Sequence, residues 1–127
     1  MNKIAVIDMD DSIVNFSDAC LTRLNEIYER NLSINDIKTC IASSYNISVD
    51  AFLDDLQNHS ILEQALPAYG ARDLMVALRN SGYYINIVTA RGWHVRGYDL
   101  TVEWLRNYKI PFDCVDIVSM NDKSKIN

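Results

Sequence analysis

The chain has 127 residues, 49% hydrophobic and 23% charged, with four Gly and two Pro. That is enough for one ordinary folded core, and it excludes a disordered, collagen-like or low-complexity chain. A formal net charge of −5 argues against an extended nucleic-acid surface, while leaving room for one nucleotide-sized anion held by a few local cations.

Residues 3–8 form a short apolar run that ends abruptly in acids. Apolar residues at successive positions predict a strand buried on both faces, as in a parallel sheet. From Ser17 to Arg30 the apolar residues Cys20, Leu21, Leu24, Ile27 and Tyr28 recur at helical spacing, with Ser17 as the expected N-cap. Residues 31–66 are less regular. A helix is expected from Ser33 to Ile41 and another between Val49 and Leu66, with an ambiguous strand pattern at Tyr45–Asp50.

Pro67–Gly70 punctuates the chain. Leu74, Met75 and Leu78 then give one apolar helical face, closed by Ser81-Gly82. Tyr83–Thr89 reads as a second strand. Val95, Tyr98, Val102 and Leu105 predict a helix from Trp93 to Tyr108, which Ile110-Pro111 stops. Asp113–Met120 reads as a third strand, followed by a polar tail. Strands alternating with helices imply right-handed crossovers and a parallel α/β sheet.

Asp8 and Asp10 stand where the first strand ends, the edge at which open α/β sheets bind ligands. If extended geometry persists, both carboxylates point the same way and repel unless a cation lies between them. Mg²⁺ suits such a pair, because it takes hard oxygen ligands and retains waters and phosphate oxygens. A carboxylate can also attack phosphorus, and a second can serve as general acid and base. A hydrated acidic turn is the plainer alternative. Thr89 ends the second strand, and its hydroxyl with nearby N–H groups could hold a phosphate or simply cap the next helix. Arg91 could reach a phosphate or be a surface arginine. Lys123, with Lys125 two residues on, follows the third strand, where a lysine can neutralise a transferring phosphoryl group.

The run Ile4–Ser12 resembles the first motif of the haloacid dehalogenase (HAD) superfamily, an apolar strand followed by DxD, with Asp11-Ser12 where Gly-Thr is common. Ile87–Arg91 is similar to the second motif, and Pro67-x-x-Gly70-Ala71 with Gly82 to the approach that precedes it. Asn121–Ser124 resembles the third motif of nucleotidases in that superfamily. Trp104–Asp113 is similar to nucleotidase-like and polynucleotide-phosphatase-like members. The resemblance implies a Rossmann-like parallel sheet flanked by helices, with residues 1–14 and 67–127 as core and 15–66 as a small helical cap. It implies a Mg²⁺-dependent phosphatase in which Asp8 is the nucleophile and Asp10 the general acid and base. The Asp8 carboxylate and Asp10 carbonyl would hold the metal. Thr89, Ala90 and Lys123 would hold the phosphate, and Arg91 and Phe16 would meet a small phosphorylated substrate, expected to be a nucleotide. The superfamily's fourth motif, acids after a further strand, has no counterpart here, so the core reads as short at its C-terminal end.

Two other readings compete. One is a relative that binds phosphate compounds without turnover. The other is a receiver domain of two-component signalling, with Asp50 as phospho-acceptor and Lys109-Ile-Pro-Phe as its lysine element. No apolar run approaches the roughly 18 residues of a membrane span, and Met1–Ile4 shows no secretory pattern. Cys20, Cys40 and Cys114 are odd in number and lack CxxC spacing, so a reduced, cytoplasmic chain is expected. Nothing in the sequence opposes a homo-oligomer.

Overall fold

The computed structural model describes residues 3–119. The chain divides into two compact units, one of residues 1–14 and 67–127 and one of Asn15–Leu66.

The first unit is a parallel three-stranded sheet in the order β1-β2-β3, built from β1 (Lys3–Asp8), β2 (Tyr83–Thr89) and β3 (Cys114–Ile117). Lys3 lies opposite Tyr83 and Asp8 opposite Val88, while Thr89 lies opposite Ile117. All three strands therefore end at the same edge. Helix α5 (Ala71–Asn80) connects β1 to β2, and α6 (Gly97–Asn107) connects β2 to β3. α5 buries Ala71 and Met75, one turn apart, and leaves Leu74 exposed. It ends at Gly82, whose φ of 86° is one that side-chain-bearing residues avoid. α6 buries Leu100, Thr101, Trp104 and Leu105, and the rings of Trp104 and Tyr108 lie 4.8 Å apart. Asp113 fastens the entry to β3. Its N–H donates to the Ile85 carbonyl, its carboxylate accepts from the Ile85 N–H at 2.7 Å, and Arg79 pairs with it at 3.0 Å.

The expectation that β1 is buried on both faces is corrected. Ile4 is 65% exposed and Val6 52%, whereas Ile85, Ile87 and Val115 are buried. Right-handed crossovers that advance in one direction, β1 to β2 to β3, place α5 and α6 on the same face of the sheet. The other face carries Ile4, Val6, Tyr84, Asn86, Cys114 and Asp116. There the Cys114 thiol donates to Asn86 Oδ1 at 2.9 Å. Among the described residues, β1 pairs only with β2.

The second unit is helical: α1 (Phe16–Tyr28), a 3₁₀ turn at Ile34–Asp36, α2 (Ile41–Ser44), α3 (Val49–Asn58) and α4 (Ile61–Gln64). Its core joins Cys20, Leu21 and Leu24 of α1 with Leu56, Ile61, Leu62 and Ala65. Asn25 ties the end of α1 to the next segment, its amide bonding both the N–H and the carbonyl of Leu32, and Tyr45 Oη donates to Asn25 Oδ1 at 2.6 Å.

Several expected bounds shift. α1 begins at Phe16 behind Asn15, so Ser17 is not the cap. The helix expected over Ser33–Ile41 shrinks to a 3₁₀ turn at Ile34–Asp36: Ser33 and Asp36 form a capping box at its start, but Ile37 is already extended and ends it. The helix expected within Val49–Leu66 breaks at Ser60, whose φ is 53°. Tyr45–Asp50 contains no strand.

Candidate active site

The geometry of the site starts with Met9. Its side chain is fully buried, and its carbonyl accepts from the N–H groups of Ser12, Ile13 and Val14 at 3.1–3.2 Å. This converts the strand into a tight turn directly after Asp8. Asp11 takes the left-handed conformation (φ 59°) that small polar residues tolerate, and its N–H donates to the Val14 carbonyl. Asp8 and Asp10 thus flank an anchored residue. The Met9 N–H donates to Asp8 Oδ1 at 2.7 Å, which fixes the orientation of that carboxylate.

Thr89 sits at the same sheet edge, one residue beyond the partner of Asp8. It is 1% exposed, and its hydroxyl oxygen has no hydrogen-bond partner among the described residues. A buried hydroxyl without a partner is costly, by roughly 1–3 kcal/mol, and native folds rarely retain one without a reason. A phosphate oxygen at the strand end would satisfy it. The Thr89 carbonyl accepts from Val118, and the Val118 carbonyl accepts from Gly92, so the chain leaving β3 braces the loop leaving β2. Ala90, next in that loop, is half-buried.

Arg91 does not extend into open solvent as a substrate-seeking side chain would. It is 1% exposed. Its Nη2 donates to Asp10 Oδ1 at 2.6 Å, its Nε to Asp10 Oδ2 at 3.2 Å and its Nη1 to Thr101 Oγ1 at 3.1 Å. Three of its nitrogens are thus engaged by Asp10 and Thr101. Two features lock the backbone at Arg91. The Arg91 carbonyl accepts from the His94 N–H, and Gly97 packs so closely that a Cβ there would lie 2.5 Å from the same carbonyl. α6 starts at Gly97 rather than Trp93, which leaves Val95 outside the helix; both Val95 and Tyr98 are exposed rather than part of a buried stripe.

Thr101 and Gly97 were not singled out in the sequence. A signal was present, since Gly97, Thr101 and Leu105 recur at helical spacing and place one polar residue within the apolar face. Phe16 opens α1 in the helical unit and is half-buried there, while Tyr45 is core, its ring 6.0 Å from that of Tyr28. Asp50 lies in the first turn of α3 and not after a strand, which removes the basis for a receiver domain. Lys123 lies outside the described residues.

Among the described residues, no three His, Cys, Asp or Glu side chains gather as a metal cluster. The Asp8 carboxylate and Asp10 carbonyl are nevertheless hard oxygen donors of the kind Mg²⁺ takes one or two at a time, with waters and phosphate completing its shell. The residues fit that ion. No helix among the described residues is long and apolar enough to cross a membrane.

No protein-family model matches the sequence, and no curated protein matches it. Solved structures do share the fold. A hydrolase from Streptococcus pneumoniae TIGR4 aligns over 99% of this chain and 70% of its own, at 15% identity and TM-score 0.63. A putative phosphoglycolate phosphatase from Lactobacillus delbrueckii subsp. bulgaricus aligns over 91% and 64%, at 18% identity and TM-score 0.59. A HAD-superfamily hydrolase of subfamily IA from Geobacter sulfurreducens aligns over 92% and 63%, at 14% identity and TM-score 0.53. The chain shares the α/β fold of these solved structures. It spans 30% to 70% of the lengths of the solved proteins compared.

Proposed function

We propose that the chain hydrolyses phosphomonoesters with Mg²⁺, through a phosphoryl group carried on Asp8, and that its substrates are nucleotides or nucleic-acid-end phosphates. The observation that carries this reading is that Thr89, buried and with a hydroxyl that has no partner among the described residues, ends its strand at the same sheet edge as the oriented Asp8 carboxylate. A phosphoryl group offers an electrophilic phosphorus to a carboxylate at that edge and acceptor oxygens to the Thr89 hydroxyl.

In the first step an Asp8 oxygen attacks phosphorus, and the ester P–O bond breaks. The departing oxygen takes a proton from the Asp10 carboxyl. In the second step water attacks the phosphorus, gives its proton to Asp10, and the bond to Asp8 breaks to release phosphate. Arg91 occupies one lone-pair direction on each Asp10 oxygen and leaves others for the proton. Thr89 donates to a phosphoryl oxygen throughout. Mg²⁺, when held by the Asp8 carboxylate and Asp10 carbonyl, supplies charge neutralisation between anionic nucleophile and anionic substrate. The nucleotide class rests on the sequence resemblance alone.

The test is phosphate release from a panel of nucleotides and 5′- and 3′-phosphorylated oligonucleotides, with and without Mg²⁺. Asp8→Asn is the control. Mg²⁺-dependent release well above that control is expected. Release no greater than the control, with retained phosphate binding, would instead support a binding protein without turnover.

A further inference from the structure

We infer that Arg91 is a positioning residue for Asp10, and that Thr101 is the second anchor that makes it one. This rests on the reading of Asp10 as the acid and base. The guanidinium has its donors divided between two elements: Nε and Nη2 on Asp10 in the turn after β1, and Nη1 on Thr101 within α6. A planar fork held at three nitrogens has no rotational freedom left. Arg91 and Thr101 are 1% and 0% exposed, so the bonds exclude water and act in a medium where they are strong.

The backbone is as constrained as the side chain. The Arg91 carbonyl is held by His94 and pressed by Gly97, and the Gly92 N–H bonds Val118 beyond β3. The carboxylate being held is, by contrast, 25% exposed. One side of Asp10 is thus fixed by buried donors while the other remains open. That is the geometry required of a group that must meet a leaving oxygen and then a water at one place. A substrate-binding arginine would have its donors open to the ligand, and this one does not.

The experiment uses Thr101→Val, which removes the hydroxyl at nearly constant volume, and Thr101→Ser, which keeps it. Arg91→Lys retains the charge and loses the fork. Turnover and crystal structures are measured for each. For Thr101→Val, kcat is expected to fall about 5- to 50-fold with KM within about 2-fold, since displacement of an acid-base group by about an ångström slows chemistry rather than binding. In its crystal structure the Asp10 carboxylate should leave the two-bond geometry. Thr101→Ser should restore both, and Arg91→Lys should lower kcat without raising KM.

A raised KM at unchanged kcat in Arg91→Lys would make Arg91 a substrate contact and overturn the inference. So would an Asp10 carboxylate unmoved in Thr101→Val with kcat intact. A wild-type chain without turnover would contradict the phosphatase reading and not this one, and the position of Asp10 in the Thr101→Val crystals then decides alone.

Discussion

Arg91 grips both oxygens of Asp10, at 2.6 Å from Nη2 and 3.2 Å from Nε, although the two residues are 81 positions apart. The pair joins the turn after β1 to the loop after β2, so it is a stability element as well as part of the site. Arg91→Ala would leave Asp10 without its partner and a void where the guanidinium lay. Breaking a fully buried pair costs roughly 3–5 kcal/mol. Asp10 retains some water, so a loss of about 2–4 kcal/mol is expected, read as a lower urea midpoint at unchanged slope.

Thr89→Val separates stability from function in the opposite sense. The substitution is nearly isosteric and removes a buried hydroxyl that has no partner among the described residues. Stability should be unchanged or raised by about 1 kcal/mol, because a desolvated, unbonded group is lost. Phosphate affinity and turnover should fall together. Thermal unfolding with and without inorganic phosphate checks both halves. A destabilised Thr89→Val would show that the hydroxyl already has a structural role.

Gly97→Ala tests the packing against Arg91. The new methyl would meet the Arg91 carbonyl at 2.5 Å, and that contact is with backbone, which cannot swing aside. Overpacking of this kind costs roughly 1–3 kcal/mol. Gly92→Ala meets the Val118 carbonyl at 3.0 Å and should cost less. Denaturant unfolding of the two variants gives the order directly. Equal stability of Gly97→Ala and the parent would mean that the loop has slack.

Tyr28 supplies a pH dependence within the helical unit. Its phenol donates to Asp55 Oδ2 at 2.5 Å. The carboxylate accepts from the neutral phenol and repels the phenolate, which together with burial holds the Tyr28 pKa above the ordinary tyrosine range. A group whose folded pKa is raised contributes stability that is fully present below its unfolded value of about 10. That contribution is lost as pH rises through the raised folded value. Asp55→Asn should bring the Tyr28 titration back toward 10, as followed by NMR of labelled tyrosine, and should flatten the alkaline stability profile.

Much of the sheet unit was legible because its strands are short apolar runs with hard stops. Lys3–Asp8 ends in acids, and Tyr83–Thr89 follows a glycine that turns the chain. Two classes of feature were not legible. Val95 and Tyr98 mimic helical spacing yet lie exposed, Val95 before the helix begins at Gly97 and Tyr98 on its outer side. Periodicity does not register where a helix begins. The inward turn of Arg91 depends equally on a partner 81 residues away, and sequence spacing carries no such distance. The exposure of Ile4 and Val6 has the same origin. An apolar run shows that a strand can be covered, not how many faces the surrounding helices reach.

The central claim is that Asp8 receives the phosphoryl group. The most direct measurement incubates the chain with Mg²⁺ and a labelled small phosphodonor, quenches it in acid and maps the labelled peptide. Label is expected on Asp8, absent in Asp8→Asn, and prolonged in Asp10→Asn, where the second step lacks its base. Label on Asp50, or undiminished label in Asp8→Asn, would contradict it.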